Sequence, residues 1–308
     1  MRDGEGTDAT EPDHDVVVVG GGPTGSGVAT FTARYGLDTV VYDRGNAALA
    51  RAAFIENYPG FPGGIDTETL TDLFHDGLEA AGATHVPDLV DAVARREDGE
   101  GTGFRVVTSE GETVTARYIV AAAWYDASYL KPLEEDDEMF EVEMHHGEEH
   151  EQLDRSFADA DGRTPIDGLY VAAPTEQRNA QVVVAAGHGG HVARTLLQDH
   201  REAEGLAGGV APVYDWLRPE TEFSGPWAER ERWAEWFENE LDGTDAGDAE
   251  VERLRERYID RAFDTERSPE EVEELRAEGH RRLAEHLDTA AVLDAVDDEA
   301  IEAYLDGR

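Results

Sequence analysis

An α/β fold is predicted by three stretches of this sequence: a parallel sheet layered with helices, plus a small antiparallel layer and a helical C-terminal annex. The first stretch is Asp15-Val16-Val17-Val18-Val19, then Gly20-Gly21-Gly22-Pro23-Thr24-Gly25 and an Ala-rich run. That order is strand, tight turn and helix, the arrangement that holds a dinucleotide phosphate on a helix N-terminus. The second is Asp38-Thr39-Val40-Val41-Tyr42-Asp43, a strand ending in a carboxylate 18 residues beyond Gly25 and placed to accept hydrogen bonds from a ribose. The third is Gly168-Leu169-Tyr170-Val171-Ala172, a buried strand that precedes a helical segment over 181–201.

Taken in order, residues 1–13 are polar and acidic and are expected to be a disordered leader. A strand is predicted over 15–19, a helix over 23–36, a strand over 38–42 and a helix over 67–81. Strands follow over 89–95, 103–109 and 113–120, the last two alternating in polarity and turning at Glu110-Gly111 as an antiparallel hairpin. Residues 131–165 are acidic and are expected to be loop. The dinucleotide domain is therefore assigned to 14–204 and a separate helical region to 205–308. Within the latter, Val251, Leu254, Tyr258 and Ala262 recur at helical spacing, as do Val272, Leu275, Gly279 and Leu283. Ser268-Pro269-Glu270-Glu271 forms a capping box that should start a helix. Four tryptophans, Trp216, Trp227, Trp233 and Trp236, lie here. They are expected to form an aromatic stripe packed on the main domain, with a lid or a homo-oligomer surface as the alternative.

Seventy acidic side chains face 26 basic ones, for a formal net charge of −44, and Lys131 is the only lysine. A surface of this kind stays soluble when molar salt shortens charge interactions to ~3 Å, so a halophilic habitat is expected. Nucleic-acid binding is excluded as an expectation, because a phosphate footprint needs clustered cations. The absence of cysteine removes disulfides, thiolate metal sites and thiol chemistry from this chain. No run approaches the ~18 consecutive apolar residues of a membrane span, so no membrane association is expected and a cytoplasmic location is.

A second signature, Ile55-Glu56-Asn57-Tyr58-Pro59-Gly60-Phe61-Pro62, resembles the loop that thioredoxin reductases place under their flavin. Gly168 to Pro174 and Gln181-Val182-Val183-Val184-Ala185-Ala186-Gly187-His188-Gly189 are similar to the late strand and helix start of the same family. The resemblance covers about 14–130 and 155–200 and implies an FAD-binding Rossmann-type domain of three layers. On it, Gly20, Gly22, Pro23 and Gly25 would cradle the FAD pyrophosphate, Asp43 would hold the adenosine ribose, and the backbone of Val90 would meet the adenine. Asn57 would sit near the flavin ring, and Gln181 with the N–H groups of His188 and Gly189 would face its O2 and N1 edge. Such a helix start would stabilise the anionic reduced ring.

The departures from the family are equally specific. The interval between the two halves is too short for a second nucleotide domain, and the Cys-x-x-Cys pair is missing. The expected Ala-Thr-Gly reads Ala121-Ala122-Ala123, and the expected Gly-Asp reads Ala173-Pro174. The resemblance thus implies an FAD-dependent oxidoreductase without its own NAD(P)H site or dithiol, serving a small-molecule substrate or a redox partner protein. The alternative is a non-catalytic FAD-fold binding or assembly subunit.

His188 is the candidate for a proton-shuttling group, with His191 behind it. His145, His146, Glu148, Glu149 and His150 hold imidazoles and carboxylates suited to zinc or manganese. Their spacing matches no common site, and no metal is expected there. Trp124 and Tyr125 could wall a pocket or simply be buried.

Overall fold

The computed structural model describes residues 11–45, 48–96, 103–123, 127–134, 138–145, 148–154, 156–173 and 181–307. The first ten residues of the expected leader, Trp124, Tyr125, His146 and Pro174 lie outside the described residues. The chain divides into two compact units, Met1–Glu204 with Ala211–Asp215, and Gly205–Val210 with Trp216–Arg308.

The first unit is built on β1 (His14–Val19), α1 (Pro23–Tyr35), β2 (Thr39–Tyr42), α2 (Thr67–Ala80), β3 (Thr84–Val86), β4 (Val90–Arg95), β5 (Phe104–Thr108) and β6 (Thr113–Ala121). It continues through β7 (Phe140–His145), β8 (Glu148–Leu153), β9 (Leu169–Val171) and α3 (Val182–Ala203). One seven-stranded sheet runs β3-β2-β1-β6-β5-β4, with β9 also paired to β6. β1, β2, β3, β6 and β9 are parallel to one another, whereas β4, β5 and β6 form an antiparallel meander. β6 serves both arrangements because it is long. Thr113–Ala116 pairs with β5, and Ile119–Ala121 pairs with β9 on the side away from β1. The predicted α/β class with a small antiparallel layer is the observed one.

β1 is a continuous valine run because both its faces are covered. Val16 and Val18 pack with Val28, Ala29, Val192 and Leu196 under α1 and α3, while Val17 and Val19 pack with Val93, Phe104, Leu130 and Leu169 on the other face. α1 stops at Gly36, which takes φ 106° and returns its N–H to the Ala33 and Thr32 carbonyls. α2 starts at Asp66, whose side chain accepts the Thr69 N–H.

The expected loop over 131–165 is corrected by the hairpin β7–β8, in register from Phe140↔Leu153 to His145↔Glu148. Phe140, Val142 and Met144 alternate with Glu141 and Glu143, a strand period hidden by residues of low strand propensity. β3, with three residues, is too short to give a periodic signal in the sequence.

The C-terminal half of α3 carries a buried histidine. His200 is 6% exposed, its Nδ1 lies 3.3 Å from the Tyr118 hydroxyl, and its ring meets Tyr35 and Tyr118 edge-on. Burial, with Arg117 and Arg201, lowers its pKa more than Glu204 and Asp15 raise it. The folded protein therefore holds this ring neutral where the unfolded chain would protonate it. That contribution is complete above about pH 6.5 and is lost as pH falls below it toward the folded value. Comparing denaturation midpoints at pH 7.5 and 5.5 in molar KCl, the wild type should lose more stability than His200→Gln. Equal losses would assign the acid sensitivity elsewhere.

The second unit contains β10 (Arg218–Pro219), α4 (Arg230–Glu240), α5 (Asp248–Phe263), β11 (Glu266–Arg267), α6 (Pro269–Glu285), α7 (Thr289–Asp294) and α8 (Asp298–Asp306). The capping box is formed, with Ser268 and Glu271 exchanging side chain-to-backbone hydrogen bonds. Trp233 is buried with Phe223, Ile259 and Ala262 and meets Trp227, so these aromatics pack within their own unit. Leu254 is fully buried, but Val272, Leu275 and Leu283 of α6 stay exposed.

Candidate functional site

Gly20, Gly21, Gly22 and Pro23 connect the C-terminal end of β1 to the N-terminus of α1. Gly20 takes φ 104°, a left-handed value that favours glycine, and a Cβ there would lie 3.0 Å from Ala123 N. Its N–H donates to the Tyr42 carbonyl at 2.9 Å, tying the turn to β2. A Cβ on Gly25 would lie 1.8 Å from the Gly20 carbonyl oxygen, so the helix can approach its own turn only with glycine there. Gly22 is the N-cap of α1 and Pro23 follows it, with no acidic residue in the first turn. The first N–H groups of α1 thus present an anion-binding end with no carboxylate in the helix's own first turn.

Gly20, Gly21, Gly22 and Pro23 line a cavity of about 550 Å³, a size usual for small-molecule sites. Gly20, Gly22, Pro23, Asp43, Asn57, Val90 and Gln181 all contribute to its wall. Asp43 leaves the end of β2 and lies against Gly21, where an added Cβ would come within 2.8 Å of the Asp43 Cβ. Asn57 Nδ2 donates to Gln181 Oε1 at 2.7 Å, joining two motifs 124 residues apart in sequence. The Asn57 loop is held by the Ile55↔Ile65 bridge and by Tyr58 packing on Phe61 and Phe74. Val90 is 3% exposed and stands beside a register shift that leaves Asp91 out of the β4–β5 ladder.

His188 and Gly189 are placed elsewhere. α3 begins at Val182, so both residues lie in its second turn, where their N–H groups are spent on helical hydrogen bonds. The free N–H groups belong to the first turn, and Gln181, Val182 and Ala185 are what α3 presents to the cavity. His188 is 4% exposed and stacks on His191, while His191 Nε2 lies 2.8 Å from Asp161 Oδ1. Gly189 packs on α1, and a Cβ there would lie 2.0 Å from the Thr24 carbonyl oxygen. Neither His188 nor Gly189 lines the cavity. Gly25 likewise acts in helix packing and does not line the cavity.

The cavity also takes Arg44, Leu49, Phe54 and Asp88, which the motifs did not mark. Asp88 is 7% exposed and accepts the N–H of Leu89 at 2.7 Å. Two histidines stand next to Asp43: His75 Nε2 lies 3.9 Å from Asp43 Oδ2 and 3.2 Å from the Gly21 carbonyl oxygen. The His75 and His85 rings have centroids 4.1 Å apart. His85 titrates below the ordinary histidine range, chiefly because it is buried and secondarily because His75 is beside it. Residues ten apart on a helix and the following strand form no recognisable spacing, so no sequence signal marked this pair.

No protein-family model matches the chain. Over 125 residues it is 34% identical to a bifunctional thioredoxin reductase/thioredoxin of Mycobacterium leprae, covering 40% of this chain and 26% of that protein. It is 32% identical over 111 residues to a thioredoxin reductase of Listeria monocytogenes, covering 35% of this chain and 33% of that one. The chain thus spans no more than about a third of these curated relatives. A solved thioredoxin reductase from Gloeobacter violaceus is similar at a TM-score of 0.48 and 20% identity, covering 67% of this chain and 98% of that one. Among the described residues no helix is long and apolar enough to cross a membrane. Over part of its length, this chain is a distant relative of the thioredoxin reductases.

Proposed function

We propose that the chain binds FAD in this cavity and works as a flavin-dependent oxidoreductase. The observation that carries the reading is the wall itself: a glycine turn on a helix N-terminus, an acid closing β2, and the Asn57–Gln181 pair all open on one cavity. The N-terminus of α1, with Gly20, Gly22 and Pro23, would hold the pyrophosphate. Asp43 would accept the adenosine ribose hydroxyls, and the backbone at Val90 would meet the adenine. Asn57, Gln181 and the first turn of α3 would orient the polar edge of the ring, where free helical N–H groups favour negative charge. When bound, the flavin supplies the carrier through which electrons pass to or from a substrate.

The chain contains no cysteine, so no dithiol on it relays those electrons. Its substrate would be a small molecule or a redox partner protein that reaches the ring directly. β6 and β9 are joined across a short hairpin, β7–β8, and Ala122 and Ala123 form part of the cavity wall. These two features favour a second reading, a binding or assembly subunit that keeps the scaffold without the chemistry.

Absorption of the protein purified in molar KCl separates the two, with any heat-released cofactor identified by chromatography. Flavin absorption and FAD recovered near one per chain are expected. A colourless protein that also takes up no added FAD would favour the second reading.

A further inference from the structure

We propose that Asp43, His75 and His85 form a binding site for one divalent first-row transition-metal ion of the zinc type. The three come from three elements of the first unit. Asp43 follows β2, His85 lies on β3 opposite Val41, and His75 lies on α2. The Asp43 N–H donates to the Val86 carbonyl at 3.0 Å, which fixes the first two relative to each other. One potential ligand atom from each residue lies within 4.8 Å of the other two. Metal–nitrogen and metal–oxygen bonds of about 2.0–2.2 Å set ligand atoms closer together than this, so an ion would draw the three side chains inward by rotation.

A second observation points to a ligand. His85 Nε2 is shielded from solvent and has no hydrogen-bond partner. A nitrogen left in that condition lacks the interaction that normally accompanies burial. A hydrogen-bonded core pair would satisfy both rings, whereas here one ring nitrogen is left over. Two imidazoles and one carboxylate suit zinc, cobalt, nickel or ferrous iron better than calcium or magnesium, which take oxygen donors.

Ion binding would require His75 Nε2 to exchange its contact with the Gly21 carbonyl for the metal, or the ring to turn. Asp43 Oδ1 already accepts the Gly45 N–H at 3.2 Å, and Oδ2 is the oxygen nearest His75. Each carboxylate oxygen offers two acceptor positions, so holding an ion leaves Asp43 capacity for a further donor. The site depends only on these three side chains and stands whether or not the cavity takes FAD.

The test is a Co²⁺ titration of the full chain, stripped with chelator and kept in molar KCl to screen the acidic surface. Ligand-field absorption should saturate at one Co²⁺ per chain and be displaced by Zn²⁺. His85→Ala and His75→Gln should each weaken binding at least about tenfold. A triple His145→Ala, His146→Ala, His150→Ala variant should bind as the wild type does. Near-UV circular dichroism selects folded variants for comparison, with His85→Gln replacing His85→Ala if the latter fails. A site that survives loss of His85, one that disappears with the triple variant, or no saturable binding at all would each overturn the proposal.

Discussion

Gly22→Val should leave the protein folded and reduce its affinity for FAD at least about 100-fold, a loss of about 2.7 kcal/mol. Gly22 takes φ −70° and ψ −172°, extended backbone that any residue adopts, so valine introduces no strain in the chain. Replacing glycine by valine at an N-cap costs up to about 1 kcal/mol of helix stability. The new side chain stands on the cavity wall, where the pyrophosphate would need close approach to backbone N–H groups. Fluorescence titration with FAD in molar KCl, run beside a thermal melt, reads both quantities. Undiminished affinity in a folded Gly22→Val protein would remove the dinucleotide from this cavity. Gly25→Val offers no such separation, because its Cβ would strike the Gly20 carbonyl and the fold itself would fail.

Two glycines one turn into α3 should respond in opposite directions. Gly187→Ala meets nothing within 4 Å and removes backbone freedom from the unfolded chain, so it should stabilise by roughly 0.5–1 kcal/mol. Gly189→Ala would place its Cβ 2.0 Å from the Thr24 carbonyl oxygen, a backbone atom no rotamer change can move. Gly27 makes the reciprocal approach from α1, where a Cβ would lie 2.6 Å from the Ala186 carbonyl oxygen. The two helices thus meet backbone to backbone at these glycines, with no room for a Cβ on either side. Forcing them apart should cost at least about 3 kcal/mol, the upper range for overpacked cores. Denaturant midpoints in molar KCl provide the measurement. A neutral Gly189→Ala would mean that α1 and α3 are not in backbone contact.

Much of the first unit was legible because its signals are local. The valine run, the turn and the helix of β1–α1 follow one another within 22 residues, and each has a short-range cause: burial on both faces, a left-handed φ at Gly20, and a proline at the first helical position. The β5–β6 hairpin was readable from alternation and a glycine turn, with Gly111 at φ 89°. β7–β8 was obscured because Glu141 and Glu143 occupy the polar face of a strand, and acidic density reads as loop. β3 has three residues and exists through its pairing with β2, which no local pattern encodes.

The candidate site divides in the same way. Gly20, Gly22, Pro23, Asp43 and Asn57 belong to contiguous motifs whose chemistry is visible in their order. Gly189 sits in an equally recognisable motif, yet its neighbour Thr24 makes it a packing residue. His75 and His85 meet Asp43 only because α2 returns the chain to β3 beside β2.

The sequence by itself determined the α/β class, the glycine turn between β1 and α1, the capping of α6 and the exclusion of cysteine chemistry. Each of these depends on residue type or on neighbours within one element. Only the tertiary structure decided that Asn57 meets Gln181, that α3 offers its first turn rather than His188 to the cavity, and that two histidines converge on Asp43. Those are distances between elements, set by how packed layers bring remote segments together, and residue order alone does not carry them.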